Sequence, residues 1–512
     1  MTSPRPLPEA RSLATKSPWL MIAIMLHVAG IAIASILYYA HETTIDDDVP
    51  MHISIGGAAP ETEAIKPVPI EDRNELPNIR DDEAQPNELL HQFHIDANDG
   101  GEVGDPTAPT LESDMVSKLS GDTGATAIGV GVVGHFSNGP STKPGTGCGR
   151  PRGIRERKGD SNTSGRLENA VTYGLDWLSK HQDEDGRWDC ANFMKHDKEG
   201  EPCTGPGNSV NDVGVTGLAL IAFLGDGNTM KQGPHRKVVQ KGVRWLLEQQ
   251  QENGLIGTNS SQSYAYSHAI ATVALCEAYG LSEHRPLKKP AQAAISYIAN
   301  ARNPYGVWRY QPRENDGDTS ITGWMVQALL SGRAFQLQID DAALKTALVF
   351  LDSVTDPVTG SAGYTKAGEG SSRNAAMIDR FPAAKTESLT AVALLCRHLL
   401  HQKPTEVPVM AAAAKTLVAK PPVWNPADGS IDMYYWYYAS YALYQHGGKE
   451  WEQWGRKMTD AVVRTQVAKG NASGSWDPVD AWGEDGGRVY STAMMVLCLE
   501  AYWRYGRVSF AQ

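Results

Sequence analysis

A basic excess is missing from this chain: 47 Lys and Arg stand against 59 Asp and Glu, for a net charge of -12 and a pI near 5.6. Such a balance offers no general electrostatic attraction to phosphate backbones, so nucleic acid is not an expected partner. Nucleotide-binding loops are missing too. The glycine-rich stretch 124–149 holds no Gly-Lys-Ser/Thr, and no strand-helix unit surrounds it, so it reads as flexible chain. Long apolar runs are absent with one exception, residues 18–40, and residues 41–165 lack any sustained hydrophobic periodicity.

The exception, PWLMIAIMLHVAGIAIASILYYA, has no Asp, Glu, Lys or Arg, and His27 is its one basic side chain. Its 23 residues make about 35 Å of helix, enough for a hydrocarbon core of about 30 Å. Trp19 at one end and Tyr38 and Tyr39 at the other sit where interfacial aromatics belong. Arg5, Arg11 and Lys16 precede the run, and Glu42 and Asp46 to Asp48 follow it. The positive-inside rule then places a tail, 1–17, in the cytoplasm and everything after residue 40 outside it. The expectation is a single-pass signal-anchor in the cell inner membrane, which is the chain's membrane contact; a cleaved signal peptide is the competing reading. Residues 41–120 carry 19 Asp or Glu against 4 Lys or Arg. With the Pro, Gly and Thr around them, they cannot bury enough apolar surface to offset ordering, so 41–165 reads as a flexible linker, acidic and then glycine-rich.

From residue 166 to the end an amphipathic helix, a Gly- and Trp-containing turn and a nearly uncharged helix recur six times. The uncharged helices begin at Asp212, Tyr266, Asp318, Lys385, Tyr434 and Val489. Matched on Thr216, Thr272, Thr322, Thr390, Ser440 and Thr492, they are 56, 50, 68, 50 and 52 residues apart. The amphipathic partners begin at Leu167, His235, Lys288, Asp341, Pro408 and Glu450, each with one solvent face. Six wet helices alternating with six apolar ones predict two concentric rings, an all-α fold of the α/α-toroid type.

Three turns carry more. Gln182 with Gly186-Arg187-Trp188, Gly306-Val307-Trp308, and Gln466 with Gly474-Ser475-Trp476 resemble the repeats of squalene and terpene cyclases and prenyltransferase β-subunits. Gln249 with Gly254 is the corresponding pair of the second repeat, without the Trp. More narrowly, CTGPG, YSHAIATVALCEAYG, GDTSITGW and RVYSTAMMVLCLEAY after an anchored glycine-rich tether resemble membrane-anchored bacterial prenyltransferase/squalene oxidase repeat proteins. The resemblance implies the toroid and assigns no reaction. It also implies where an acid belongs. Class II cyclases protonate an alkene with the middle Asp of Asp-x-Asp-Asp-Thr; with Thr319 on that Thr, Asp318 falls on the last Asp and Gly317 on the proton donor. Glycine donates no proton. Asp318 and Thr319 then have a plainer role in capping the helix.

The amino-terminal ends of the uncharged helices are expected to gather at one mouth, where free N-H groups suit an anionic or polar ligand. Candidates for chemistry there are His268, the only His at the start of such a helix, with Asp212 and Asp318. Candidate liners are Tyr266, Glu387, Tyr434, Tyr435, Trp436, Arg488 and Tyr490. Cys190 and Cys203 share one loop, and a disulfide between them fits an oxidising compartment; with His196 they also make three possible zinc ligands. No cofactor is expected. Two functions stand: a binding or scaffold module for a lipid-like, glycan or protein ligand, and an enzyme, terpene cyclase-like or polysaccharide-active, working in the central cavity.

Overall fold

The computed structural model describes residues 161–373 and 377–504. The tail, the anchor at 18–40 and nearly all of the linker lie outside these residues; among the described ones no helix is long and apolar enough to cross a membrane. The described residues form twelve α-helices, with two isolated β-bridges and no strand. In chain order they are α1 (Ser161–Lys180), α2 (Asp212–Gly225), α3 (Arg236–Glu248), α4 (Tyr264–Ser282), α5 (Lys288–Asn300), α6 (Thr319–Ala334), α7 (Asp341–Ser353), α8 (Glu387–Leu399), α9 (Pro408–Val418), α10 (Met433–His446), α11 (Gly448–Thr465) and α12 (Gly483–Glu500).

The even-numbered helices form the inner ring. Each packs on the next, α2 on α4 and so on to α12, and α12 returns to α2. The odd-numbered helices lie outside, each against its own inner partner. This division follows from composition. In α6 every residue from Thr319 to Gly332 is buried, whereas α3 buries only Val239, Gly242, Val243, Trp245 and Leu246 along one stripe. The helices begin within a few residues of the expected positions. The first starts at Ser161, inside the stretch read as linker, and the last starts at Gly483, because a short turn precedes the break at Gly487 (φ 65°). A Cβ at Gly487 would stand 2.5 Å from Gly207 N, so the close approach of the 203–207 loop requires glycine there.

One turn design holds the rings together. Gln182 Nε2 donates to Gly186 O in its own turn (2.8 Å) and to Val238 O of the next outer helix, α3 (3.0 Å). Gln466 Nε2 does the same to Gly474 O and Ala170 O, both at 2.8 Å, and Ala170 belongs to α1. The last repeat is thereby fastened to the first. The Trp indoles act alike: Trp188, Trp308 and Trp476 each donate Nε1-H at 2.8 Å to a carbonyl of their own outer helix, at Leu178, Ile298 and Val462. In the third repeat Thr346 Oγ1 takes the glutamine's place and donates to Gly306 O (2.7 Å).

In the second repeat the structure corrects the sequence reading by one residue. Gln250, not Gln249, donates to Gly254 O (3.3 Å) and Pro290 O (2.9 Å). Gln249 is spent as the helix C-cap, its backbone N-H bonded to Trp245 O, so its side chain points elsewhere. Losing two partly buried hydrogen bonds costs about 1–2 kcal/mol. Gln250→Ala is therefore expected to lower unfolding stability by that amount, and Gln249→Ala by under about 0.5 kcal/mol. Denaturant melts of the two variants check the register; the reverse order would contradict it.

Candidate functional site

The inner helices all present their amino-terminal ends to one side of the ring, and most of those ends carry the protein's own carboxylates. Asp212 opens α2, Asp318 caps α6, Glu387 lies in the first turn of α8, Asp432 caps α10, and Glu484 and Asp485 begin α12. Two of these acids already occupy helix-terminal N-H groups: Asp318 Oδ1 accepts from Ser320 N (2.7 Å) and Ile321 N (3.0 Å), and Asp432 Oδ1 from Tyr435 N (2.8 Å). An external anion would meet these charges first, so the mouth does not fit the anionic ligand that the bare helix ends suggested.

Deeper in the ring, side chains of α6 and α10 meet. Trp324 of α6 stacks on Tyr437 of α10, with centroids 5.5 Å apart at 13°, and meets the edge of Tyr438 at 5.6 Å. Gln327 donates to the Tyr438 hydroxyl (2.8 Å) and accepts from that of Tyr437 (3.2 Å). Helix α8 separates α6 from α10 around the ring, so these contacts cross its middle. Trp324, Tyr437 and Tyr438 are each buried to 2 % exposure or less.

Above this contact, about one helical turn nearer the mouth, Tyr434 lies on Tyr438 with centroids 4.9 Å apart. Tyr266, Tyr310 and Tyr434 are half-exposed, and Asp318 is fully buried beside them. The Tyr266 hydroxyl meets Ser320 Oγ (2.7 Å), Ser320 Oγ donates to Asp318 Oδ1 (2.5 Å), and the Tyr310 and Tyr364 hydroxyls bond to each other. Asp318 Oδ2 and the Tyr434 hydroxyl have no hydrogen-bond partner of regular geometry. Burial raises the Asp318 carboxyl above its ordinary range, against the hydrogen bonds from Ser320 and Tyr364 that hold it down. The half-buried Tyr266, Tyr310 and Tyr434 form a phenol-lined recess at the mouth, with Asp318 sealed beneath it. It matches hydroxyl-bearing chemistry, which both donates and accepts.

The other sequence candidates sit elsewhere. His268 is fully buried between the rings: Nδ1 accepts from Ile256 N (3.0 Å) and the ring stands edge-on to Tyr297 of α5 at 4.7 Å. Burial drives its pKa down to about 3. It replaces, in the second repeat, the hydroxyl that fastens the turn elsewhere, as when Thr216 Oγ1 accepts from Trp188 N (3.0 Å) and Thr390 Oγ1 from Ala362 N (3.0 Å). It is a turn anchor and not an acid-base group. Asp212 Oδ1 accepts from Cys190 N (3.1 Å) and Cys190 Sγ (3.2 Å), with burial raising its pKa to about 6. Tyr435 points outward and donates to Leu417 O (3.1 Å) and Lys420 O (3.0 Å) at the end of α9. Trp436 is buried against Trp424, and Glu387 is half-buried at the start of α8. Arg488 clamps the 203–207 loop through Thr204 O (2.8 Å), with Ser475 Oγ (2.9 Å) and Asp477 Oδ1 (2.6 Å).

Cys190 and Cys203 are both free thiols, so the expected disulfide is not formed. Their partners hold them apart: Cys190 Sγ lies on Asn208 O (3.0 Å) and Asp212, whereas Cys203 takes Asp197, whose Oδ2 accepts its N-H at 2.6 Å. The alternative zinc trio does not gather either, since His196 Nε2 turns to Asp183 Oδ1 (2.6 Å). The place that cyclases give to their acid is also sterically closed. A Cβ on Gly317 would lie 2.6 Å from the Phe350 ring and 2.8 Å from Val307, on the side of the outer helix α7.

Sequence reasoning missed Tyr310, Tyr364 and Asp480, which come from loops between the rings and belong to no repeat pattern. Asp480 is fully buried; its Oδ2 accepts from Met433 N (3.1 Å) and the Tyr490 hydroxyl (3.2 Å). An acid set between apolar neighbours in PVDAW was the available signal.

No family model matches the chain, and no curated protein matches it. Solved structures do. An α-1,6-mannanase from Salegentibacter sp. HEL1_6 aligns at 11% identity and TM-score 0.45, over 65% of this chain and 98% of its own. A type II terpene cyclase variant from Scytonema bound to merosterolic acid A aligns at 14% identity and TM-score 0.44, over 67% and 98%. Cellobiose 2-epimerase from Bacillus thermoamylovorans aligns at 13% identity and TM-score 0.45, over 67% and 99%. At these scores the toroid assignment rests on the chain's own ring packing, and the reaction of none of the three passes to it.

Asp480 gives a pH prediction. Burial, then the charge of Asp432, raises its pKa from an ordinary 3.8 to about 7. Between those values the folded chain holds a proton that the unfolded chain has lost, so this residue's contribution makes stability fall as pH rises from about 4 to about 7. Thermal melts across that window are expected to show a shallower decline for Asp480→Asn than for the natural protein. Parallel profiles would contradict the assignment.

Proposed function

We propose that the protein is a binding module: a membrane-anchored, extracytoplasmic α/α-toroid that takes an uncharged, hydroxyl-rich ligand, glycan-like in its chemistry, at the phenol-walled recess. The observation that carries this reading is the aromatic contact inside the ring: Trp324, Tyr437, Tyr438 and Gln327 meet below the phenols of the mouth. The acids at the helix ends argue against a diphosphate, and the half-buried phenols Tyr266, Tyr310 and Tyr434 suit the faces and hydroxyls of a sugar. Anchoring rests on the apolar run 18–40 and its charge asymmetry.

A second reading draws on one specific feature. A buried carboxyl held above its ordinary range is suited to donating a proton, and Asp318 is such a group at the mouth. Under that reading the protein is an enzyme with Asp318 as its acid.

Incubation of the full-length protein with squalene and with isoprenyl diphosphates is expected to yield no cyclised product; product that disappears in Asp318→Asn would overturn the binding reading. Titration with neutral oligosaccharides is expected to change the intrinsic fluorescence, with Tyr434→Ala weakening the response about tenfold, the loss of roughly 1.4 kcal/mol. For the anchor, a reporter enzyme fused to the carboxyl terminus is expected to be active only outside the cytoplasm. Activity confined to the cytoplasm would reverse the orientation.

A further inference from the structure

The loop joining α1 to α2 brings together three side chains that no catalytic reading uses. His181 follows directly on α1, Asp197 follows the short helical turn Phe193–His196, and Cys203 lies six residues further on. One imidazole nitrogen, one carboxylate oxygen and the thiol sulfur of these residues all lie within 4.8 Å of one another. His181 and Cys203 are buried and Asp197 is half-buried.

The hydrogen-bond polarity of His181 shows that the trio is incomplete. Its Nδ1 lies 2.8 Å from the Trp177 carbonyl, and a carbonyl only accepts, so Nδ1 carries the ring proton. The ring is held in that orientation by stacking on Trp177, with centroids 4.1 Å apart at 22°. The lone pair of a neutral ring then sits on Nε2, and Nε2 faces Asp197 Oδ1 at 3.2 Å. Two acceptors at that distance need a positive centre between or beside them: a second ring proton or a cation. The histidine is 3 % exposed, and an imidazole whose Nδ1-H is fixed by a backbone carbonyl is the usual outer-sphere support of a metal-binding Nε2.

We propose that His181 Nε2, Asp197 Oδ1 and Cys203 Sγ form a binding site for a zinc-class divalent metal ion. Imidazole, carboxylate and thiolate together select such an ion over magnesium or calcium, which prefer all-oxygen sites. Tetrahedral zinc holds its donors about 3.5 Å apart, so the loop closes by roughly 1 Å on binding. The Cys203 thiol gives up its proton to solvent as the sulfur-metal bond forms, with no change of oxidation state. His181 also borders a cavity of about 370 Å³ lined by Tyr173, Trp177, His196, Lys198 and Asn471. Asn471 belongs to the sixth repeat and bonds the same loop, through Lys198 N, Lys198 O and Glu201 O, each at 3.0 Å. The metal therefore braces the seam where the last repeat meets the first. This site is separate from the recess of the proposed function, and either stands without the other.

The test is cobalt and zinc loading of the purified full-length protein after chelation. Cobalt(II) is expected to give tetrahedral visible absorption with a thiolate-to-cobalt band in the near ultraviolet. Zinc is expected to bind at about one per chain and to raise the melting temperature of the chelated protein. Cys203→Ser is expected to lose the thiolate band, while Cys190→Ser keeps it. No thiolate band in the natural protein would overturn the proposal, as would a band that survives in Cys203→Ser, or peptide mapping that finds Cys203 in a disulfide. Absence of the band with an unchanged melting temperature would assign the positive centre to a second ring proton.

Discussion

Three of the six turns of this toroid, the closing one included, are fastened by a side-chain amide that reaches two carbonyls at once. Gln182, Gln250 and Gln466 each bind the glycine carbonyl of their own turn and a carbonyl of the following outer helix. A helical hairpin cannot bury its apolar face alone, and stacking of neighbours is what completes each repeat. In an open array the end repeats would stay unsatisfied. Gln466 removes the ends by tying the sixth turn to Ala170 of α1, so the array becomes a ring and every inner helix is packed on both sides. The turn glycines are the steric counterpart: a Cβ on Gly186 would lie 2.2 Å from Lys241 O, and one on Gly474 2.3 Å from Tyr173 O.

Ring closure gathers six helix amino termini on one face, and the chain answers that concentration of positive dipole with its own carboxylates. Asp318 and Asp432 are consumed in capping, Asp212 in holding the Cys190 loop, and Asp480 in holding the start of α10. These carboxylates are mostly structural. Below them, Trp324 and Tyr437 meet inside the ring. The small exposed remainder, walled by Tyr266, Tyr310 and Tyr434, is where ligand chemistry is left.

The rings were legible in the sequence because the two helix types differ in something a pattern shows: α3 has a stripe and α6 has none. Helix starts at Asp212, Lys288, Asp341 and Pro408 were readable to the residue for the same reason. The site was legible in part. Asp318 stood out because a capping acid precedes an apolar helix, but nothing local shows that Gly317 faces Phe350, since that contact crosses from loop to outer helix. His268 was a candidate because its position along α4 is visible in sequence, whereas the direction of its ring, toward Tyr297, is set by the rotation of the helix between its neighbours. Gln249 and Gln250 differ only in which one ends the helix, which is decided by cap geometry. Tyr364 and Asp480 approach from long inter-ring loops whose paths no periodicity describes.

If Trp324 and Tyr437 close the ring interior, binding is confined to the recess above them. A crystal structure of the full-length protein grown with a neutral oligosaccharide decides this. Trp324 is expected to remain stacked on Tyr437, with ligand density against Tyr266, Tyr310 and Tyr434. An elongated apolar molecule threaded through the ring, with Trp324 and Tyr437 parted around it, would contradict it.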